Sequence, residues 1–282
     1  MDEILKINKK IKSFNKKISI EGDKSLSIRW ALLASQATGK SRAYKLLQSE
    51  DVMSTIACLK KLGIKIKFKN NYCEIIGKGL NGYNYKNNLT LNAGNSGTLG
   101  RLILGLLVHS KKKIKLIGDK SLSKRDFSRV TKPLEGFGAR FYSKQKNKLP
   151  LSIMGSKMAI PINYTENKGS AQCKSSVMLA SLNTPGTTYI KARKSRNHTE
   201  LLFKYLKILI TIKKTKKFDY IKINGAKKIQ PFNYNIPADI SSSAFFIVLT
   251  ALSSNSKLLI KNVNINPTRI GVIKILKKMG VK

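Results

Sequence analysis

The sequence is poor in acidic side chains: 14 Asp and Glu stand against 55 Lys and Arg, a formal charge of +41 over 282 residues. It is equally poor in the groups that build redox and metal centres. Three cysteines at unrelated spacings, Cys58, Cys73 and Cys173, exclude a disulfide framework and read as reduced core thiols. Of the two histidines, His109 stands alone at the end of an apolar stretch and His198 sits beside a helix start, in a capping or packing place. No metal-ligand constellation follows. No run approaches ~18 uncharged apolar residues and the first stretch, 1–20, lacks a signal-type apolar segment, so a cytoplasmic protein is the expectation. Walker A and dinucleotide fingerprints are missing, and the lysine that follows Ser170 falls at Lys174, which breaks a Ser-x-x-Lys spacing.

What is present is a core. Apolar residues make up 41% of the chain, and its length suffices for one large domain or two ordinary ones, burying roughly 70–75% of the surface exposed when unfolded. The lysines are scattered through every segment (Lys9, Lys60, Lys111, Lys146, Lys213, Lys277), with no basic tail and no stripe interleaved with aromatics. That pattern suits a solvated surface able to speed capture of anionic small molecules; a basic nucleic-acid-binding protein is the competing reading.

The chain repeats itself. Four apolar stretches open on small polar residues: SLSIRWALLASQA from Ser25, NSGTLGRLILGLLVHS from Asn95, SAQCKSSVMLASL from Ser170 and ISSSAFFIVLTALSS from Ile240, at separations of 70, 75 and 70 positions. Each predicts a buried helix with a Ser, Asn or Asp cap. In step with them run amphipathic segments at Ser54–Ile66, Arg129–Phe141, His198–Ile210 and Gly271–Lys282, three of which end in a hydrophobic residue and glycine. Strand pairs with polar middles follow the first three. The reading is three complete units of strand, helix, strand, helix and hairpin, with a fourth begun.

Within this frame the octet GDKSLSIR (Gly22–Arg29) and its near copy GDKSLSKR (Gly118–Arg125) precede different helices of their units, so they share chemistry and not repeat position. Glycine permits close backbone approach, a helix start presents free N–H groups, and Lys and Arg add charge, the makings of an anion site. By spacing alone an ordinary capped helix explains the first copy as well. NAGNSGTLGR (Asn92–Arg101) offers a tight turn exposing amides, or equally a helix start packed on a strand. GSAQCKSS sets neutral donors beside one cation, and SRNHTE adds Ser195 and Arg196 as phosphate ligands. Asp239 in PADISSSAFF reads as a helix cap ahead of a catalytic base.

Taken in order, GDKSLSIR, LLQSEDVMSTIACLKKLG, LNAGNSGTLGRL, GDKSLSKR, GSAQCKSS, SRNHTE, PADISSSAFF and NVNINPTRIGVIKILKKMG resemble the enolpyruvyl transferase family, and within it the 5-enolpyruvylshikimate-3-phosphate synthase branch, along essentially the whole chain. The UDP-N-acetylglucosamine branch fits poorly. The resemblance implies an α/β (α+β) fold of βαβαββ units around a pseudo-threefold axis, an inside-out α/β barrel. One domain would be complete at 21–239 and a second partial at 1–20 plus 240–282. It implies transfer of the enolpyruvyl group from phosphoenolpyruvate to the 5-hydroxyl of shikimate 3-phosphate in aromatic amino-acid synthesis, without cofactor, nucleic acid or membrane, by a monomer. By motif, Lys24, Ser25, Arg29, Ser170, Gln172 and Ser195 match shikimate 3-phosphate contacts, and Lys24, Gly97, Arg125 and Gln172 phosphoenolpyruvate contacts. Asn95, Thr98, Ala171 and Arg196 are further candidates in the same loops. Three positions depart from the family: Trp30 where a small residue is usual, Asp126 for proline and Ala238 for glycine. The family's acid/base carboxylates fall beyond Lys282, so the expectation is a C-terminally truncated member with impaired chemistry, or a non-catalytic anion-binding remnant.

Overall fold

The computed structural model describes residues 11–281; residues 1–10, part of the expected 1–20 segment, and residue 282 lie outside the described residues. In chain order the elements are β1 (Asn15–Ile18), α1 (Lys24–Gln36), β2 (Thr38–Tyr44), α2 (Glu50–Lys61), β3 (Lys65–Lys69), β4 (Tyr72–Lys78), β5 (Leu89–Asn92) and α3 (Gly97–Leu106). A single 3-10 turn at Leu107–His109 leads to β6 (Ile114–Ile117), α4 (Lys120–Ser123), α5 (Ser128–Gly136), β7 (Arg140–Ser143), β8 (Leu151–Met154) and β9 (Asn163–Glu166). There follow α6 (Ala171–Ser181), β10 (Thr187–Arg193), α7 (His198–Tyr205), β11 (Ile210–Lys214), β12 (Phe218–Asn224), β13 (Asn233–Asn235), α8 (Ile240–Ala251), β14 (Lys257–Ile260) and α9 (Gly271–Lys278). The chain forms two compact units, one spanning Lys24–Ile236 and the other joining the segment that ends at Asp23 to the one that begins at Pro237.

The larger unit holds three four-stranded sheets on one plan: β5-β6-β8-β7, β9-β10-β12-β11 and β13-β2-β4-β3. In each, the first pair is parallel and the other two antiparallel. The βαβαββ repeat is therefore present three times, with one twist. The opening strand of the first repeat is β13, reached only at the far end of the unit and laid parallel on β2.

Helices α1, α3 and α6 are buried along most of their length, polar side chains such as Arg29 and Lys174 included; in α1 the buried stretch runs from Leu26 to Gln36. Burying a Leu or Ile completely stabilises the fold by about 1.5–3 kcal/mol. Close approach of α3 to α6 requires Gly105, whose Cβ would stand inside the shell of the Ser176 carbonyl. The amphipathic helices close the ring: α2 packs on α3, α5 on α6 and α7 on α1.

The amphipathic helices end alike, on a residue in the left-handed region that turns the next amides back onto the last carbonyls, as Ile64 N donates to Leu59 O at 3.1 Å and Ile208 N to Phe203 O at 2.9 Å. Gly63 (φ 85), Gly138 (φ 96) and Gly280 (φ 87) do so after α2, α5 and α9. After α7 the same place is taken by Lys207 (φ 55), which corrects the expected helix His198–Ile210: it stops at Tyr205, and Ile210 already belongs to β11. The expected Ser54–Ile66 helix likewise begins earlier, at Glu50, where Glu50 and Asp51 complement the positive helix end. Gly118–Arg125 builds a short helix of its own, α4, instead of leading straight into α5; Asp119 caps it through Leu122 N at 2.6 Å.

In the smaller unit β1 and β14 pair in parallel, and Ala238 bridges to Gly22 and Val263. Asp239 caps α8 as expected, accepting from Ser241 N at 2.8 Å, and also faces Arg269 at 3.2 Å. Arg269 reaches the buried Asp23 at 3.5 Å as well. The expectation that α8 is buried fails. Its sequence is as apolar as α3, yet Phe245 is 79% and Leu252 81% exposed, and among the described residues β14 is the main element packed on it. Sequence records a helix's demand for cover and not what supplies it.

Candidate active site

The residues matched to substrate contacts lie in the larger unit, where side chains near the starts of its three buried helices meet. Ser96 caps α3 by accepting from Leu99 N at 3.3 Å, and Ser170 caps α6 by accepting from Cys173 N at 3.3 Å. Arg101, one turn into α3, donates to Gln172 Oε1 at 2.9 Å, and Gln172 Nε2 donates to Thr98 Oγ1 at 3.0 Å. Arg29, one turn into α1, donates to Ser175 Oγ on α6 at 3.3 Å and to Thr199 Oγ1 on α7 at 3.0 Å. Ser175 and Thr199 share a bond of 2.7 Å. Side chains near the three helix starts are thus joined, and each helix start carries free N–H groups and partial positive charge.

The sharpest feature is at Gly97. A Cβ there would stand 2.7 Å from Arg101 Nη1 and 2.9 Å from Arg125 Nη1, so the missing side chain lets two guanidinium groups close on one helix N-terminus. Arg125 is steered by Asn95 Oδ1 at 2.9 Å and Ser121 Oγ at 3.4 Å. Burial, and then the neighbouring charges of Arg125 and Arg129, pull the Arg101 pKa below its usual value. Cations held together against desolvation and repulsion are the electrostatic form of an anion site.

The other candidates are placed as follows. Lys24 lies at the start of α1, half exposed, with Asp51 at 2.8 Å. Ser25 is half-buried and its carbonyl accepts from Arg29 Nη1 at 3.0 Å. Arg29 itself is only 4% exposed and ties three helices together. Ala171 opens α6 beside Gln172. Ser195 Oγ is buried and has no hydrogen-bond partner among the described residues, whereas Arg196 is exposed. His198 is buried at the first position of α7, a packing role; Asn197 holds the cap position. Asp126 turns its carboxylate onto Ser128 N at 2.8 Å, and its bonds to Ser128 hold its pKa below the ordinary range.

Several residues of the cluster escaped sequence reasoning. Glu166, at the end of β9, accepts from Ser170 N at 2.8 Å and from Lys168 N at 3.1 Å and faces Arg129 at 3.2 Å, so it sets the loop that opens α6. Lys174 on α6 and Glu200 on α7 meet at 2.6 Å in the interior. Arg101 stood inside a motif, four residues after Gly97, but only the fold shows it turning toward α6. Among the described residues no group of His, Cys, Asp and Glu is arranged to hold a metal ion, and no helix is long and apolar enough to cross a membrane.

The chain has known relatives. Residues 8–282 match the family model for EPSP synthase (3-phosphoshikimate 1-carboxyvinyltransferase). The chain is similar to the 3-phosphoshikimate 1-carboxyvinyltransferase of Thermoanaerobacter sp. (strain X514), 42% identical over 266 residues, covering 93% of this chain and 61% of the relative. Its similarity to the enzyme of that name from Streptococcus pyogenes serotype M2 (strain MGAS10270) is 38% over 269 residues, covering 94% and 61%. A solved EPSP synthase from Acinetobacter baumannii superposes with a TM-score of 0.86 at 36% identity, over 95% of this chain and 60% of that one. The chain thus spans about three fifths of the length of the relatives it matches.

Proposed function

The chain belongs to the EPSP synthase (3-phosphoshikimate 1-carboxyvinyltransferase) family, and on that premise we propose that its helix-start cluster binds shikimate 3-phosphate and phosphoenolpyruvate for enolpyruvyl transfer to the 5-hydroxyl of shikimate 3-phosphate, with release of phosphate, in aromatic amino-acid synthesis. The observation that carries this reading is the approach of the Arg101 and Arg125 guanidiniums to each other at Gly97, the first residue of α3. Two guanidiniums at a helix start suit a phosphate or a carboxylate, and Lys24 supplies a further cation from the start of α1. Shikimate 3-phosphate is assigned to Ser25, Arg29, Ser170, Gln172 and Ser195, with hydroxyls and an amide suited to a phosphorylated polyol and Ser195 Oγ holding an unmet hydrogen bond. Asn95, Thr98, Ala171 and Arg196 line the same loops.

The part of the reaction these residues supply is binding and orientation. Addition to and elimination from an enol ether need groups that give and take protons, and the carboxylates around the cluster already face cations: Asp51 meets Lys24, Glu166 meets Arg129 and Glu200 meets Lys174. Binding without turnover by the 282-residue chain is therefore the expected behaviour, in a monomer of the cytoplasm. Calorimetry of this chain with shikimate 3-phosphate tests the site. Heat of binding at micromolar to millimolar ligand is expected, and its absence at millimolar ligand refutes the assignment. Phosphate release from the two substrates together measures turnover, and rapid release refutes the restriction to binding.

A further inference from the structure

A carboxamide has two ends of nearly the same shape and opposite polarity, so a glutamine in an anion site helps or harms according to which end faces the ligand. We propose that Arg101 is a positioning residue that fixes this choice for Gln172, holding the oxygen away from the bound anion and leaving an N–H to meet it. The proposal rests on the functional reading above. A guanidinium can only donate, so the Gln172 atom 2.9 Å from Arg101 Nη1 is the oxygen, Oε1. That leaves Nε2 at 3.0 Å from Thr98 Oγ1, using one of its two hydrogens and keeping the other for a ligand. With the amide reversed, a carbonyl oxygen would face phosphate or carboxylate, and repulsion would replace attraction.

Arg101 is suited to the task because it is itself immobilised. Its Nη1 also donates to Gly97 O at 3.2 Å, and its guanidinium lies 5.2 Å over the Phe127 ring. Both anchors are buried, Gly97 in the first turn of α3 and Phe127 at the cap position before α5, so neither leaves the guanidinium free to turn. Stability alone gives little reason for a cation here. The group is partly desolvated and stands near Arg125 and Arg129, both of which oppose its charge.

The test uses the 282-residue chain, with shikimate 3-phosphate as the probe in calorimetry and the Gln172 side-chain amide as a probe in 15N–1H NMR without ligand. Arg101→Met is expected to weaken binding about tenfold, the size of one misdirected charge-assisted bond, and to move the Gln172 amide signals. In a Gln172→Met background, Arg101→Met should add less than about threefold, because the residue through which it acts is gone. Should Arg101→Met fold poorly, Arg101→Lys and Arg101→Gln decide. Lysine, a donor only, should keep the Gln172 signals and most of the affinity, whereas glutamine, which can also accept, should lose both. Unchanged Gln172 signals in the Met and Gln variants, or losses that simply add in the double variant, overturn the positioning role while the functional reading stands. A wild-type chain without affinity overturns the functional reading and this role together.

Discussion

The Lys174–Glu200 pair offers the most demanding check on the packing described above. Lys174 is 0% exposed and Glu200 3%, their charged atoms lie 2.6 Å apart, and Glu200 Oε2 has no hydrogen-bond partner among the described residues. Both ions have left water, and their attraction offsets that loss only while both are present. Removing one, by Lys174→Met or Glu200→Leu, strands the other charge in the interior and is expected to cost about 3–5 kcal/mol. That is a large part of the about 5–15 kcal/mol by which a protein is normally stable. Removing both at once leaves no buried charge. Met preserves the packing of the lysine stem, so the double variant is expected within about 1 kcal/mol of wild type, or above it. The coupling, several kcal/mol in favour of the double variant, is what makes the case strong. Trp30 is the only tryptophan and is fully buried in α1 of the same unit, so its fluorescence in a urea titration, checked by far-ultraviolet circular dichroism, reports the right transition. Single variants that lose less than about 1 kcal/mol, or a double variant that loses their sum, would refute the claim that the pair is desolvated and mutually dependent.

Three further outcomes are expected. Gly97→Ala sets a methyl 2.7 Å from Arg101 Nη1 and 2.9 Å from Arg125 Nη1, so both flexible guanidinium ends must move aside while the backbone stays; phosphoenolpyruvate affinity measured by calorimetry should fall at least about tenfold, and an unchanged affinity would move the anion elsewhere. Gly63→Ala forces a side chain into φ 85 and against the Asn84 carbonyl, so urea titration should show a loss of about 2 kcal/mol or more, whereas Lys207→Gly should be neutral or stabilising by up to about 1 kcal/mol. Burial raises the Cys58 thiol to about 11 and the Cys73 thiol to about 12. Unfolded thiols titrate near ~8.5; the folded chain binds these protons more tightly, so its stability is intact below that pH and falls as pH rises through 11 to 12. Both should resist a thiol reagent at pH 8 until urea unfolds the chain; rapid labelling of folded protein would contradict their burial.

How far the sequence reveals this molecule depends on the distance over which each feature is determined. The repeat, the hairpins and the caps at Ser96, Ser170 and Asp239 are local, set by periodicity and by side chains bonding amides two or three residues away, and they are legible. The end of α7 is also local but was hidden, because Lys207 adopts a conformation that glycine advertises and lysine does not. The exposed face of α8 and the strand β13 completing the first repeat's sheet are matters of what lies across space, which no window of sequence contains. The site divides in the same way. Gly97, Arg125 and Gln172 are visible as motif residues: a glycine at a helix start, a cation and a neutral donor. Glu166, which shapes the Ser170 loop from β9, and Arg101, which reaches from α3 to α6, act on partners 4 and 71 positions away, Glu166 by a backbone bond and Arg101 across helices. The motif residues recur in recognisable stretches, whereas the cross-helix contacts are defined by the packing of neighbouring repeats. The triple repeat is thus more than a scaffold here: it brings side chains near the starts of α3 and α6, and of α6 and α1, within hydrogen-bonding reach, and the proposed anion site draws on those joints.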